Sequence, residues 1–150
     1  MAVRVIREVN RTSGLTPTVA VIAGQPLVLV SSSTVAPISN TADYPFGIAA
    51  ESTQQPPIAP LNGLTAGEGF NYTDFARGGL VSAFTNGSEL ELYDDGRGAP
   101  YVTTDTYVLN RPVYANASGL VTSVVAGSIL GIVTDFEGSP VTRLRVKFVI

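Results

Sequence analysis

Hydrophobic and polar residues alternate over short stretches in most of the chain, which is typical of β-strands with one buried face. Near the end of the chain, Leu144, Val146 and Phe148 are apolar at every second position, and the residues between them are basic. Segments containing Gly and Pro separate such stretches at roughly the 8- to 12-residue spacing that β-sandwiches and barrels show. The pattern therefore predicts an all-β chain.

The predicted strands are 18–22, 27–30, 34–38, 46–50, 80–84, 88–93, 101–109, 113–115, 120–125, 129–134 and 141–150. Residues 1–14 alternate less regularly and predict either an edge strand or an extended arm. Asn86-Gly87, between 80–84 and 88–93, predicts a hairpin turn because both residues readily adopt positive φ. Residues 51–77 are rich in Pro and Gly, which predicts a long irregular loop.

Residues 110–133 repeat the order of apolar, Gly and Pro positions found in residues 24–50. The matched positions are Pro26 with Pro112, Val35 with Val121, and Gly47-Ile48 with Gly131-Ile132. This echo predicts an internal repeat within a single domain, 1–150, that forms a compact β-barrel or sandwich built from two similar β units. The predicted boundaries are 1–14 for the N-terminal arm or edge strand, 15–95 for the first unit and 96–150 for the second.

Charged residues make up only 14% of the chain, against the usual value of about a quarter, and hydrophobic residues make up 45%. So few charges leave a broad neutral surface, which suits a subunit in contact with neighbouring proteins. The chain has no Cys and no His, which excludes disulfides and thiolate chemistry and removes the commonest general base and transition-metal ligand. We therefore expect no enzymatic activity, no cofactor and no metal site.

The net charge of −3 argues against nucleic acid as a partner. Charges interrupt the apolar residues at the start of the chain, which argues against a signal peptide, and no apolar run reaches the ~18 residues that span a membrane. Glu89 and Glu91 occupy alternate positions of one predicted strand. Glycoside hydrolysis needs carboxylates that face each other across a cleft, so we interpret this pair as part of a solvated strand face.

The candidate partner contacts are Arg4, Arg7 and Arg11 near one terminus, Arg143, Arg145 and Lys147 near the other, and Phe70, Tyr72 and Phe75 in the irregular loop. The N-terminal arginines form either a solvated strand edge or an arm that docks on an acidic neighbour. The aromatic residues either fold back onto the core or fill a neighbour's groove. If the terminal strands lie side by side, their cations form a basic pole beside an acidic body; the alternative is scattered surface charge.

A repeated motif pairs Gly/Asn-x-Pro-Leu/Val with Phe/Leu-Gly-Ile-Ala/Val, at 24–27 with 46–49 and at 110–113 with 130–133. Over about residues 18 to 135, this pattern resembles the small capsid cement, or decoration, proteins of tailed bacteriophages. The resemblance implies an all-β virion protein on the outer capsid surface that binds the major capsid protein, associates with itself as a homotrimer and stabilises the shell. The alternative is a receptor-binding β module of a phage tail or fibre tip.

Overall fold

The computed structural model describes residues 3–53, 79–85 and 87–150. These residues form strands joined by turns and loops, without an α-helix, which confirms the all-β prediction. The strands are β1 (Val3–Arg7), β2 (Asn10–Pro17), β3 (Pro26–Leu29), β4 (Thr34–Pro37), β5 (Gly47–Ala49), β6 (Val81–Thr85), β7 (Glu89–Tyr93), β8 (Pro112–Ala115), β9 (Val121–Thr122), β10 (Ile129–Glu137) and β11 (Arg143–Phe148). Among the described residues there is no helix with the length and hydropathy that crossing a bilayer requires.

The strands form an open sheet and a closed barrel. The open sheet has the order β1-β7-β11-β10-β8-β9, and its neighbouring strands are antiparallel. The barrel has the order β2-β4-β3-β5-β6; β2 and β4 are parallel, and the other neighbouring strands are antiparallel. The sheets pack together, which confirms the predicted sandwich- or barrel-like arrangement. Because β7 of the first predicted unit pairs with β11 of the second, the open sheet combines strands from both units. The equivalence of 15–95 and 96–150 stays a prediction.

The connection from β1 to β2 and the connection from β6 to β7 both run between the open sheet and the barrel, and they lie next to each other. β1 leads into β2 through Glu8 and Val9, and β6 leads into β7 beside them. Ser88 links these two connections, because its hydroxyl accepts a hydrogen bond from the Val9 N–H at 3.0 Å and donates one to the Thr85 carbonyl at 3.2 Å. Because β1 pairs with β7 and β2 pairs with β6, these strands form one bent ribbon that spans both sheets.

The hairpin predicted for 80–84 and 88–93 is wrong, because β6 and β7 lie in different sheets. Val81 and Ala83 pack inside the barrel, whereas Leu90 and Leu92 pack between the sheets. A local hairpin would remove one of these pairs from its core. The long-range pairing therefore prevails over the local turn signal.

The hydrophobic residues form separate clusters. One lies inside the barrel and consists of Leu15, Val21, Leu27, Val35, Ala49, Val81 and Ala83. The other lies between barrel and open sheet, with Ile48 and Phe84 from the barrel and Leu92, Leu144 and Phe148 among the residues from the sheet. The barrel thus buries its interior and also one side of its wall.

Gly47 in β5 and Gly131 in β10 lie where adjacent strands approach closely. A Cβ on Gly47 would lie 2.7 Å from the Phe84 carbonyl oxygen, and one on Gly131 would overlap the carbonyl oxygen of Lys147. Both positions therefore require a residue without a side chain. One of these glycines belongs to the barrel and the other to the open sheet.

Segments 18–22 and 101–109 were predicted as strands and are irregular. Val21 is buried, and its N–H donates to the Thr53 hydroxyl at 2.9 Å; Tyr101 makes only an isolated bridge with Val121. Val21, Tyr101 and Tyr107 are thus buried by tertiary packing without continuous strand pairing, whereas Val19 and Val108 of the same segments are exposed.

The N-terminal segment is incorporated into the fold from Val3 onward as β1 and β2, with β1 at an edge of the open sheet. For 3–7 this matches the edge-strand alternative, whereas 10–14 belong to β2, which pairs with β4 and β6 inside the barrel. Most of the predicted loop 51–77 lies outside the described residues.

Candidate interaction surface

The outer face of the open sheet brings together most of the predicted basic contact residues. β7 lies between β1 and β11, so both terminal strands flank the same strand, which carries glutamates at alternate positions. The strand register places Arg4, Glu91 and Arg145 in one row, and Arg7, Glu89 and Lys147 in the next.

Glu91 is the centre of this face, and its side chain is only 7% exposed. Its Oε2 accepts hydrogen bonds from Arg143 Nη1 at 2.9 Å and Arg145 Nη2 at 3.0 Å, and Arg4 Nη1 lies 3.8 Å from Oε1. Burial alone would raise the pKa of Glu91, but the hydrogen bonds and charges of Arg145 and Arg143 outweigh it and hold the pKa below 4.5. The interpretation of Glu91 as a solvated side chain is therefore wrong.

Arg143 extends the ion pairs to β10. Its guanidinium donates to Asp135 Oδ2 at 3.0 Å and to Glu137 Oε2 at 3.3 Å, in addition to Glu91. These hydrogen bonds, led by the one to Glu91, raise the pKa of Arg143. The hydrogen bond from Arg143 also lowers the pKa of Asp135 below its ordinary value. Arg143 is thus engaged with three carboxylates of its own chain.

Acidic and basic residues alternate across this face. The terminal strands are close enough to form the predicted basic pole, but the carboxylates of β7 and β10 lie between and beside their cations. The face is consequently mixed in charge, because the fold places strands from distant parts of the sequence side by side. The contact role of Arg4, Arg143 and Arg145 stays a prediction.

Arg7 and Lys147 are the exposed cations of the second row. They flank Glu89 in the register, and the Thr134 hydroxyl donates to Glu89 Oε1 at 3.0 Å. Neither cation forms an ion pair with another described residue. Of the predicted contacts on this face, these two are therefore the most available to a partner.

The remaining predicted contacts do not belong to this face. Arg11 lies on β2 of the barrel, where it pairs with Glu8 at 3.1 Å and its guanidinium lies 4.7 Å from the Phe84 ring centroid. Phe70, Tyr72 and Phe75 lie outside the described residues.

Exposed apolar side chains form patches away from the ion pairs. Leu29, Tyr44 and Val149 line a groove of about 610 Å³ between β3 and the C-terminal residues, and Tyr44 is 78% exposed. Val108 and Val125 line a separate depression of about 280 Å³ beside β8, whose lining also includes the polar residues Thr106, Arg111 and Ser123. The groove and the depression share no lining residue. The sequence indicated neutral surface in general, but its separation into patches depends on the three-dimensional fold.

Polar residues of the irregular segment after β7 are used for internal packing. The Tyr101 hydroxyl donates to the Val141 carbonyl at 3.3 Å, and the Tyr107 hydroxyl donates to that of Val102 at 2.8 Å. Burial, with a smaller contribution from the charge of Asp94, raises the pKa of Tyr101 to about 12. At neutral pH both phenols are therefore protonated hydrogen-bond donors to the backbone.

The sequence did not reveal two buried carboxylates that form ion pairs, Glu91 and Asp95. Glu91 pairs with Arg143 and Arg145, and Asp95 pairs with Arg97 at 2.7 Å, with side chains 7% and 1% exposed. Arg97 also donates to the Ser52 hydroxyl at 3.2 Å. The available signal for the second pair was an Arg close to two aspartates in a Gly-containing turn, a pattern that also occurs in exposed turns.

Among the described residues, no group of three or more acidic side chains is arranged to hold a metal ion. Comparison of the sequence with protein-family models and with curated proteins found no match.

Proposed function

We propose that this chain is a structural protein of a virus particle: a capsid cement, or decoration, protein that binds the outer surface of the major capsid lattice and stabilises the shell, as a homotrimer. The observation that carries the proposal is the presence of exposed apolar side chains in two separate surface concavities, the groove at Tyr44 and the depression at Val125. Exposed apolar patches commonly mark contact sites with other proteins. Separate patches allow one molecule to contact two neighbours.

The mechanism requires only binding. A protein that binds the assembled shell and not its separated subunits stabilises the shell by mass action, by about 2.7 kcal/mol per site at a free concentration 100 times Kd. Individual contacts of roughly 800 Å² per partner suffice, because many copies act on one shell. The low charge content and the internally paired ions are consistent with interfaces made largely by neutral surface.

The proposal predicts a high copy number on the particle. Quantitative mass spectrometry of purified particles should find this chain in a fixed, near-stoichiometric ratio to the major shell protein, and shells stripped of it should disassemble at lower temperature. A few copies per particle would instead support the tail or fibre-tip alternative. Absence from purified particles would contradict both.

The role of the patches can be tested separately on stripped shells. Val125→Ser should reduce rebinding, because it places a hydroxyl in an apolar contact. Val19→Ser is a matched control, since Val19 is also exposed and lines neither patch. Equal rebinding of both variants would contradict the role of the depression at Val125.

A further inference from the structure

The two edges of the open sheet differ in how their backbone groups are covered. At the β9 edge, the Val102 N–H donates to the Val121 carbonyl at 2.8 Å, and the Val121 N–H donates to the Pro100 carbonyl at 3.0 Å. Residues 100–102 therefore cover that edge. At the opposite edge, the backbone of β1 forms hydrogen bonds only with β7 within the described chain. Open edges of this kind can accept another extended segment.

The outward side chains at the β1 edge have a defined charge pattern. The register with β7 shifts between Val5 and Arg7, and this irregularity places Arg4 and Arg7 on the same outward face. Moving across the sheet toward this edge, one row runs Asp135, Arg145, Glu91, Arg4. Charges of opposite sign thus lie next to each other, and the row ends on an exposed cation, Arg4, beyond which no strand of the described residues lies.

We propose that the open edge of β1 binds an extended segment of a partner protein that carries acidic residues at alternate positions. Such a segment would continue the backbone ladder, and its carboxylates would lie opposite Arg4 and Arg7, as those of Glu91 and Glu89 do on the other side of β1. Opposite charges across neighbouring strands stabilise pairing, and like charges disfavour it.

The same charge pattern selects against a second copy of this chain. Two β1 edges paired antiparallel would form one continuous sheet, with the Arg4 and Arg7 side chains of both copies on the same face. No carboxylate of β1 would lie among them, because the strand contains none. The edge therefore fits an acidic strand of a different protein.

This inference deepens the proposed role and rests on it only for the identity of the partner, a neighbouring shell protein.

The probe is a fluorescein-labelled peptide, Thr-Glu-Val-Glu-Val-Thr, tested by fluorescence anisotropy against the full chain. We expect it to bind about tenfold more tightly than the same peptide with Gln in place of Glu, and the version with Lys to bind more weakly still. Added salt should weaken the binding of the acidic peptide because both arginines are exposed.

Variants locate the binding. Arg4→Gln and Arg7→Gln should each weaken acidic-peptide binding about threefold. Lys147→Gln, which removes a cation from the same face but not from the edge, is the matched control and should leave binding unchanged. Hydrogen exchange should show new protection of the amides of residues 3–7 when the peptide is bound.

Equal affinity for the acidic and Gln peptides, protection confined to other strands, or equal effects of Arg7→Gln and Lys147→Gln would overturn the inference. Self-association that protects residues 3–7 without peptide would also overturn it, in favour of a second copy at this edge. None of these measurements uses shells, so a failed peptide experiment with intact shell binding would reject only the edge inference. Loss of shell binding with intact peptide binding would reject the proposed function.

Discussion

The open sheet and the barrel differ in where they place charge. The open sheet packs one face into the core and carries ion pairs on the other, centred on Glu91. In the barrel, neighbouring residues of β5 and β6 are buried in different cores: Ala49 and Ala83 inside the barrel, Ile48 and Phe84 between the sheets. β5 and β6 contain no charged residue. Whether a strand can carry charge thus depends on whether it retains a face in water.

The largest expected effect tests whether the sheets unfold together. Leu144 of the open sheet and Leu27 of the barrel are both fully buried. Leu144→Ala and Leu27→Ala should each lower the free energy of unfolding by about 3 kcal/mol, through lost burial and a residual cavity. Because Ile48 and Phe84 link the barrel wall to the open sheet, both variants should lower the midpoint of one shared transition, measured by calorimetry and by tyrosine fluorescence.

A matched surface variant controls for that comparison. Val124→Ala lies on an exposed residue and should change the free energy of unfolding by less than about 0.5 kcal/mol. If Leu27→Ala separated the unfolding into an early and a late transition, the barrel and the open sheet would be independent units rather than one cooperative domain.

The next largest effect is the difference in the free energy of unfolding between substitutions at Glu91 and Glu89, the two glutamates of β7. Glu91→Gln should lower the free energy of unfolding by about 2 kcal/mol, because charged hydrogen bonds from Arg143 and Arg145 are lost and both cations remain near a poorly hydrated site. Glu89→Gln should cost less than about 0.5 kcal/mol, since Glu89 pairs in the register with exposed cations. Urea unfolding of both variants measures the difference. Similar losses would show that the buried position of Glu91 has no special effect.

The same site predicts how the free energy of unfolding falls at acidic pH. The pKa of Glu91 lies below 4.5 when folded, so the unfolded chain takes up this proton first as the pH falls. The stabilisation is therefore complete above about pH 4.5 and is lost as the pH falls through the folded pKa. In urea titrations at several pH values, Glu91→Gln should show a shallower loss below pH 4.5 than the unsubstituted chain. Parallel pH profiles would contradict this assignment.

The central strands of the open sheet were predictable because each has one solvent-exposed face and one buried face. Alternation in 141–150 correctly indicated β11, with Leu144, Val146 and Phe148 in the core. The same alternation correctly predicted that Leu90 and Leu92 of β7 point into the core. It could not show that β1 and β11 both flank β7, and so it missed the burial of Glu91. Pairing between distant strands is decided by the whole core and not by any local pattern.

The barrel was harder to predict because its strands are short and some are buried on both sides. The apolar run 46–50 was recognised as a strand, but the pattern could not separate Ile48 from Ala49, which serve different cores. At 101–109, Thr and Tyr have high strand propensity, yet Tyr101 and Tyr107 are buried as donors to backbone carbonyls. High β-propensity reports a good fit to a half-buried surface, which a packed irregular segment also provides.

The smallest expected effect compares arginines on the two sheets. Arg11 on the barrel lies over the Phe84 ring and pairs with Glu8, so Arg11→Gln should lower the free energy of unfolding by about 0.5 to 1 kcal/mol. Among the described residues, Arg7 on the open sheet has neither an aromatic ring beneath it nor an ion-pair partner, so Arg7→Gln should change the free energy of unfolding by less than about 0.3 kcal/mol. Urea unfolding of the two variants, with Phe84→Leu as a background that removes the ring, measures the cation–π contribution: the effect of Arg11→Gln should shrink on that background. An Arg11→Gln effect that is unchanged without the ring would assign the stabilisation to the Glu8 ion pair instead.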